Sequence, residues 1–168
     1  MVKIKEQCEG LGQCVQKVKV SQGIIYPDVS SCLTLTGILK DYFVGAHVGL
    51  MDKVGEISEN TISQIMRQIN NLKGNENFTN TFVIGWIGIW KNNVKTKYDK
   101  IIGEHFKTGW FGNLDEVRGV NSSSEITFDP GGKIFVQMRG ENREWPGYKI
   151  PASWEKPGPV DEWFYYKA

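Results

Sequence analysis

A thiol and an imidazole held within reach of one another form a nucleophile and its base, the minimal equipment for attacking an amide or ester carbonyl. Cys32 and His47 are the pair in this chain that simple strand geometry brings together. They stand 15 positions apart in VSSCLTLTGILKDYFVGAHVGLM, where two apolar runs meet at a polar break, Lys40-Asp41. Read as an antiparallel hairpin centred on Leu39-Lys40, the stretch sets Cys32 directly opposite His47. Directly opposed residues project to the same face, with Cβ atoms about 5 Å apart.

Taken singly, neither residue demands chemistry. Cysteine outside disulfides is among the most buried residue types and behaves as a small hydrophobe. His47 lies in VGAHVGL, a context that also suits a core histidine. The pairing is what argues for a site. His105 falls on the apolar face of a predicted helix, and Cys8 and Cys14 have no histidine at a comparable offset. Two histidines and three scattered cysteines show no close ligand spacing, so no metal is expected. No glycine-rich phosphate loop or G-x-S-x-G elbow occurs.

The elements that must position this pair are bounded by length and composition. A chain of 168 residues is most simply one domain, 1–168, expected to be monomeric. Its net charge is +1 from 20 basic and 19 acidic residues without like-charge clusters, so nucleic acid and anionic membranes are not expected partners. No apolar run approaches the roughly 18 residues of a membrane span. The opening MVKIKEQCEG lacks the apolar core of a signal peptide. Secretion with a leader removed, or export by another route, stays open. Cys8 and Cys14 can pair in an oxidising compartment, leaving Cys32 as the thiol; the sequence leaves that pairing undecided.

A strand is predicted at Val15–Val20, with turn signals at Gly23 and Pro27-Asp28, and the Cys/His hairpin comes next, at about 32–51. Ile62, Ile65, Met66, Ile69 and Leu72 recur on one face of a helix that Ser58 or Thr61 can cap and Gly74 ends. Thr61-Ile62-Ser63-Gln64 reads as a capping box. The run Phe82–Trp90 predicts a central strand, with Gly85 and Gly88 admitting close backbone approach. A second helix is predicted over Val94–Phe106. EITFD and KIFVQM flank Pro130-Gly131-Gly132, a hairpin signal. The segment from about 140 to 168, with Trp145, Trp154, Trp163 and four prolines, predicts an extended tail. Its aromatics either cover the core or form a rim that grips a partner. The fold class expected is α+β: a layered, mainly antiparallel β-sandwich core with two outer helices.

The Cys32 segment resembles the cysteine-dependent protein glutamine deamidases, the family of the cytotoxic necrotizing factor catalytic domain, the Burkholderia lethal factor and the chemoreceptor deamidases. In the toxin branch a Leu-Ser-Gly-Cys motif carries the nucleophile and a histidine stands fifteen residues later. This chain has Val29-Ser30-Ser31-Cys32 and then His47 at that offset. The order of elements afterwards is also similar, and EITFDPGGKIFVQ resembles the closing strand pair of the chemoreceptor enzymes. Ser31 and Val29 depart from the motif. Tyr26 stands where some members place a threonine that orients the histidine, and others use a backbone carbonyl. Gly10–Val15, GLGQCV, resembles another family motif but has no histidine at the required offset.

The resemblance implies a cofactor-free bacterial toxin or effector that acts on an exposed glutamine of a protein such as a host GTPase or translation factor. Cys32 would attack the side-chain amide and His47 would act as acid and base. Ser30, Ser31 and the backbone around them are oxyanion candidates, and Tyr26 is a candidate to orient His47. A cysteine protease or transglutaminase shares this chemistry. A non-catalytic β-rich binding module is the alternative from another class.

Overall fold

Two adjacent strands whose residues are buried on both faces require a layer on each side of the sheet that holds them. Leu33–Ile38 and Tyr42–Val48 are such strands, since nearly every residue in them is buried. The computed structural model, which describes residues 1–8, 13–52, 55–114, 123–130 and 134–139, supplies both layers. The segment from 140 onward, residues 9–12, which include the start of the GLGQCV motif, and Gly131-Gly132 of the hairpin signal lie outside the described residues.

The elements run in the order β1 (Val2–Lys3), β2 (Val15–Lys19), β3 (Ile24–Val29), β4 (Leu33–Ile38), β5 (Tyr42–Val48), β6 (Met51–Asp52) and β7 (Gly55–Glu56). They continue with α1 (Glu59–Lys73), β8 (Asn80–Gly85), α2 (Ile87–Asn93), α3 (Lys95–Phe106), β9 (Trp110–Asn113), β10 (Ser123–Phe128) and β11 (Ile134–Arg139). One sheet has the order β2-β5-β4-β8-β9, the other β1-β3-β10-β11, and β6 and β7 form a small hairpin. The pairs β1–β3 and β8–β9 are parallel and the remaining pairs antiparallel. This is an α+β fold with a layered, mainly antiparallel sheet core.

Alternation divides the core. On β4, β5 and β8, Leu33, Leu35, Val44, Ala46, Val48 and Val83 face the helices and join Ile62, Ile65, Ile69, Trp90 and Ile101 in one cluster. Phe43, Phe82 and Ile84 face the second sheet and meet its Ile24, Tyr26, Ile126 and Phe128. Phe128 sits at the centre of this inter-sheet layer, edge-on to both Phe43 and Phe82, an arrangement aromatic quadrupoles favour.

The apolar run Phe82–Trp90 is not one strand. β8 ends at Gly85 and α2 begins at Ile87, giving three α-helices among the described residues rather than two. At Trp86 the backbone N–H leaves the strand ladder and donates to the Cys32 carbonyl. Ile87 and Trp90, three apart, then bury on one face of the new helix. At α1, Ser58 is the N-cap: its hydroxyl accepts the Thr61 N–H at 3.1 Å. The helix therefore starts before Thr61, and Thr61–Gln64 is not its capping box.

No helix among the described residues is long and apolar enough to cross a membrane.

Candidate active site

The hairpin that carries the Cys/His pair turns on Lys40-Asp41, with the Leu39 N–H donating to the Tyr42 carbonyl at 2.8 Å. Its register sets Thr34, not Cys32, opposite His47. The centre expected at Leu39-Lys40 is thus displaced by one position. The displacement moves each partner by two residues, and side chains alternate with period two, so the face is preserved. Cys32 stands two residues before Thr34 and approaches His47 diagonally rather than head-on. The Thr34 hydroxyl donates instead to the Ile84 carbonyl at 2.7 Å.

Both residues are buried, each with 1% of its surface exposed. The Cys32 sulfur, a ring nitrogen of His47 and a carboxylate oxygen of Glu6 all lie within 4.8 Å of one another. The Cys32 thiol donates to Glu6 Oε2 at 2.9 Å. His47 Nδ1 lies 2.8 Å from the Ile4 carbonyl oxygen. A carbonyl only accepts, so Nδ1 carries the proton, and the neutral ring presents its lone pair at Nε2. That Nε2 is buried and has no hydrogen-bond partner among the described residues. Burial lowers the His47 pKa from its ordinary value, while the Ile4 carbonyl and the charges of Glu6 and Asp28 oppose the shift. The ring is therefore neutral and basic at Nε2 at neutral pH.

The N-terminal segment brings Ile4 and Glu6 here. Val2 and Lys3 pair with Ile24 and Ile25, and Ile4 N–H donates to the Ile25 carbonyl at 2.9 Å. Lys5 N–H then crosses to the Gln13 carbonyl at 3.2 Å. A disulfide joins Cys8 to Cys14, which settles the pairing the sequence left undecided. The Cys14 carbonyl in turn accepts the His47 backbone N–H at 2.8 Å. One short segment is thus stitched to both sheets directly over the pair.

Two devices set the Cys32 backbone. Opposite Glu125, β3 carries an irregularity in which Tyr26 and Val29 flank two extra-ladder residues, Pro27 and Asp28. Asp28 adopts φ 54°, a left-handed conformation that aspartate tolerates better than most residues. Bulges of this kind bend a strand and re-aim the residues beyond them, which here are Val29–Cys32. On the other side, a Cβ at Gly85 would overlap the Cys32 carbonyl oxygen. The glycine lets Trp86 N–H reach that oxygen at 3.2 Å, and Trp90 Nε1 donates to the Ser31 carbonyl at 2.8 Å. A cavity of about 200 Å³ lined by Lys5, Glu6, Gln7, Pro27 and Asp28 adjoins the site through Glu6.

Tyr26 does not orient His47. Its phenol bonds the Thr36 hydroxyl at 2.7 Å and the Leu35 carbonyl at 3.2 Å, and its ring meets the imidazole edge-on, with centroids 5.8 Å apart. Gly45 leaves the phenol the room it needs between the sheets. Burial pushes the Tyr26 pKa well above its usual value, so it is a neutral structural group. Ser31 is half-buried and Ser30 exposed, both in the turn that ends at Cys32. His105 is remote from the pair and bonds Asn70 of α1. Ile4 and Glu6 belong to the site although their place in the sequence does not announce it. The alternation Val2, Lys3, Ile4, Lys5 suits an edge strand, but nothing in it points to Cys32. Spacing along the chain does not reveal that Glu6 converges with Cys32 and His47.

No protein-family model and no curated protein matches this chain.

Proposed function

We propose that this protein is a cysteine-dependent amide hydrolase that deamidates an exposed glutamine on a protein substrate. One observation carries the proposal: a neutral imidazole, held by the Ile4 carbonyl in the tautomer with a basic Nε2, stands within 4.8 Å of the Cys32 sulfur. Nucleophile, base and a group that orients the base make up the triad logic of covalent amide hydrolysis.

His47 Nε2 takes the thiol proton, and the thiolate attacks Cδ of the glutamine. The oxyanion of the tetrahedral intermediate needs preorganised donors, for which the Cys32 N–H and the Ser30-Ser31 turn are the candidates. The imidazolium, which Glu6 and Asp28 favour by their charge, returns the proton to the departing ammonia. Water, deprotonated by His47, then opens the thioester to give glutamate and the restored thiol. No cofactor takes part.

The neighbouring cavity supports a side-chain substrate. At about 200 Å³ it is smaller than the pockets that enclose drug-sized ligands, which begin at about 300 Å³. An extended peptide gripped on both sides of a scissile bond needs a longer groove. The resemblance of Val29–Cys32 and His47 to the glutamine deamidases points the same way.

Reaction with iodoacetamide tests the dyad. Near neutral pH, Cys32 is expected to alkylate faster than a simple thiol, and His47→Ala to slow it by at least tenfold. Inertness of Cys32 until the protein unfolds would assign it to the core instead.

A further inference from the structure

We infer that Glu6, Cys32 and His47 also form a transition-metal site, suited to Zn²⁺, whose occupancy masks the Cys32 nucleophile. Thiolate sulfur, imidazole nitrogen and carboxylate oxygen are the three donor types that zinc takes. Here one atom of each lies within 4.8 Å of the other two. Bonds of about 2.0–2.3 Å in a tetrahedron set ligand atoms about 3.3–3.8 Å apart. The sulfur and Glu6 Oε2, at 2.9 Å, need to part by only about half an ångström. The set therefore closes on an ion through roughly an ångström of side-chain movement. Glu6, an exposed side chain, supplies that movement and the route of entry.

His47 is the independent observation. Its Nε2 is buried and has no hydrogen-bond partner among the described residues, an arrangement that costs free energy unless something occupies it. Its Nδ1–H donates to the Ile4 carbonyl. Metal-binding histidines almost always use one nitrogen this way, which fixes the ring and directs the other nitrogen at the ion. Three protein ligands leave the fourth tetrahedral position for water. On binding, the Cys32 S–H bond is replaced by a sulfur–metal bond and the proton passes to solvent. The ion takes the sulfur lone pair that attack on an amide requires and the nitrogen that would accept its proton. Occupancy and nucleophilic attack thus exclude one another.

The test is titration of the metal-free protein with Co²⁺, read by absorption, and with Zn²⁺, read by calorimetry. Expected results are one ion per chain, a thiolate-to-cobalt charge-transfer band, and protection of Cys32 from iodoacetamide by Zn²⁺. Removing an outer partner of a metal ligand costs about 10–100-fold in affinity, so loss of a ligand itself should weaken Zn²⁺ binding by more than about tenfold. Glu6→Gln, Cys32→Ser and His47→Ala each test this. Glu6 is exposed, so its variant keeps the fold even where a buried replacement does not. A cobalt spectrum without the thiolate band, or Zn²⁺ affinity unchanged in Glu6→Gln, would overturn the site. Alkylation in chelator-treated buffer reports on the dyad separately. Fast Cys32 alkylation without metal binding removes the metal site alone, and metal binding with an inert thiol removes the dyad alone.

Discussion

The backbone carbonyl of Ile4 accepts the Nδ1–H of His47 at 2.8 Å, across 43 residues of chain. His47 is therefore oriented by the N-terminal segment rather than by a side chain near Cys32. The same segment delivers Glu6 to the Cys32 sulfur. Changes in residues 2–8 should thus be felt at Cys32.

The disulfide is the first consequence. Cys8–Cys14 closes a short loop, and cross-links of that size contribute roughly 2 kcal/mol in the chain-entropy account. Cys14→Ser is expected to lower the denaturant midpoint accordingly and to alter the rate of Cys32 alkylation. An unchanged rate, with the stability loss present, would show that the N-terminal segment holds its place without the cross-link.

Tyr26→Phe separates structure from chemistry. Loss of the phenol leaves the buried Thr36 hydroxyl and Leu35 carbonyl short of a partner, at a cost of about 1–3 kcal/mol. Urea unfolding should show this loss. The pH profile of Cys32 alkylation should not move, because the orienting group is the Ile4 carbonyl.

Gly85→Ala should damage both. The added methyl meets the Cys32 carbonyl oxygen and Leu33 Cα, which are backbone atoms. Overpacking of this kind costs about 1–3 kcal/mol, and relief requires the Cys32 backbone to shift. A lower thermal midpoint together with slower alkylation is expected. Wild-type values for both would mean that the two backbones separate freely.

Acid stability depends on His47. Burial holds its folded pKa below the ordinary imidazole value of 6.5, so the unfolded chain binds the proton more readily. Stability is full above the unfolded value and falls as pH drops below it. His47→Gln removes this dependence. Chemical denaturation across that range should show a steeper acid loss in the wild type, and parallel curves would contradict the buried neutral ring.

Much of the fold was legible in the sequence. Two apolar runs and the polar break at Lys40-Asp41 locate β4 and β5, and the 3.6-residue spacing of Ile62, Ile65 and Ile69 locates α1. Cys32 and His47 shared a face in the expected register and share it in the observed one, because a two-residue slip leaves alternation intact. α2 was hidden because Ile87–Trp90 continues the apolar run of β8, and apolarity without period does not separate strand from helix. Glu6 and Ile4 were hidden for another reason. Their partners lie 26 and 43 residues away, and the pairing of β1 with β3 brings them near.

The proposed reaction, in which Cys32 driven by His47 converts a protein glutamine to glutamate, leaves a mass signature. It can be read by mass spectrometry of a protein lysate treated in parallel with the wild type and Cys32→Ser. The expected result is glutamine-to-glutamate conversion at discrete sites, with ammonia released and chains uncut, in the wild-type sample alone. Backbone cleavage products, or the same sites converted at the same level by Cys32→Ser, would contradict it.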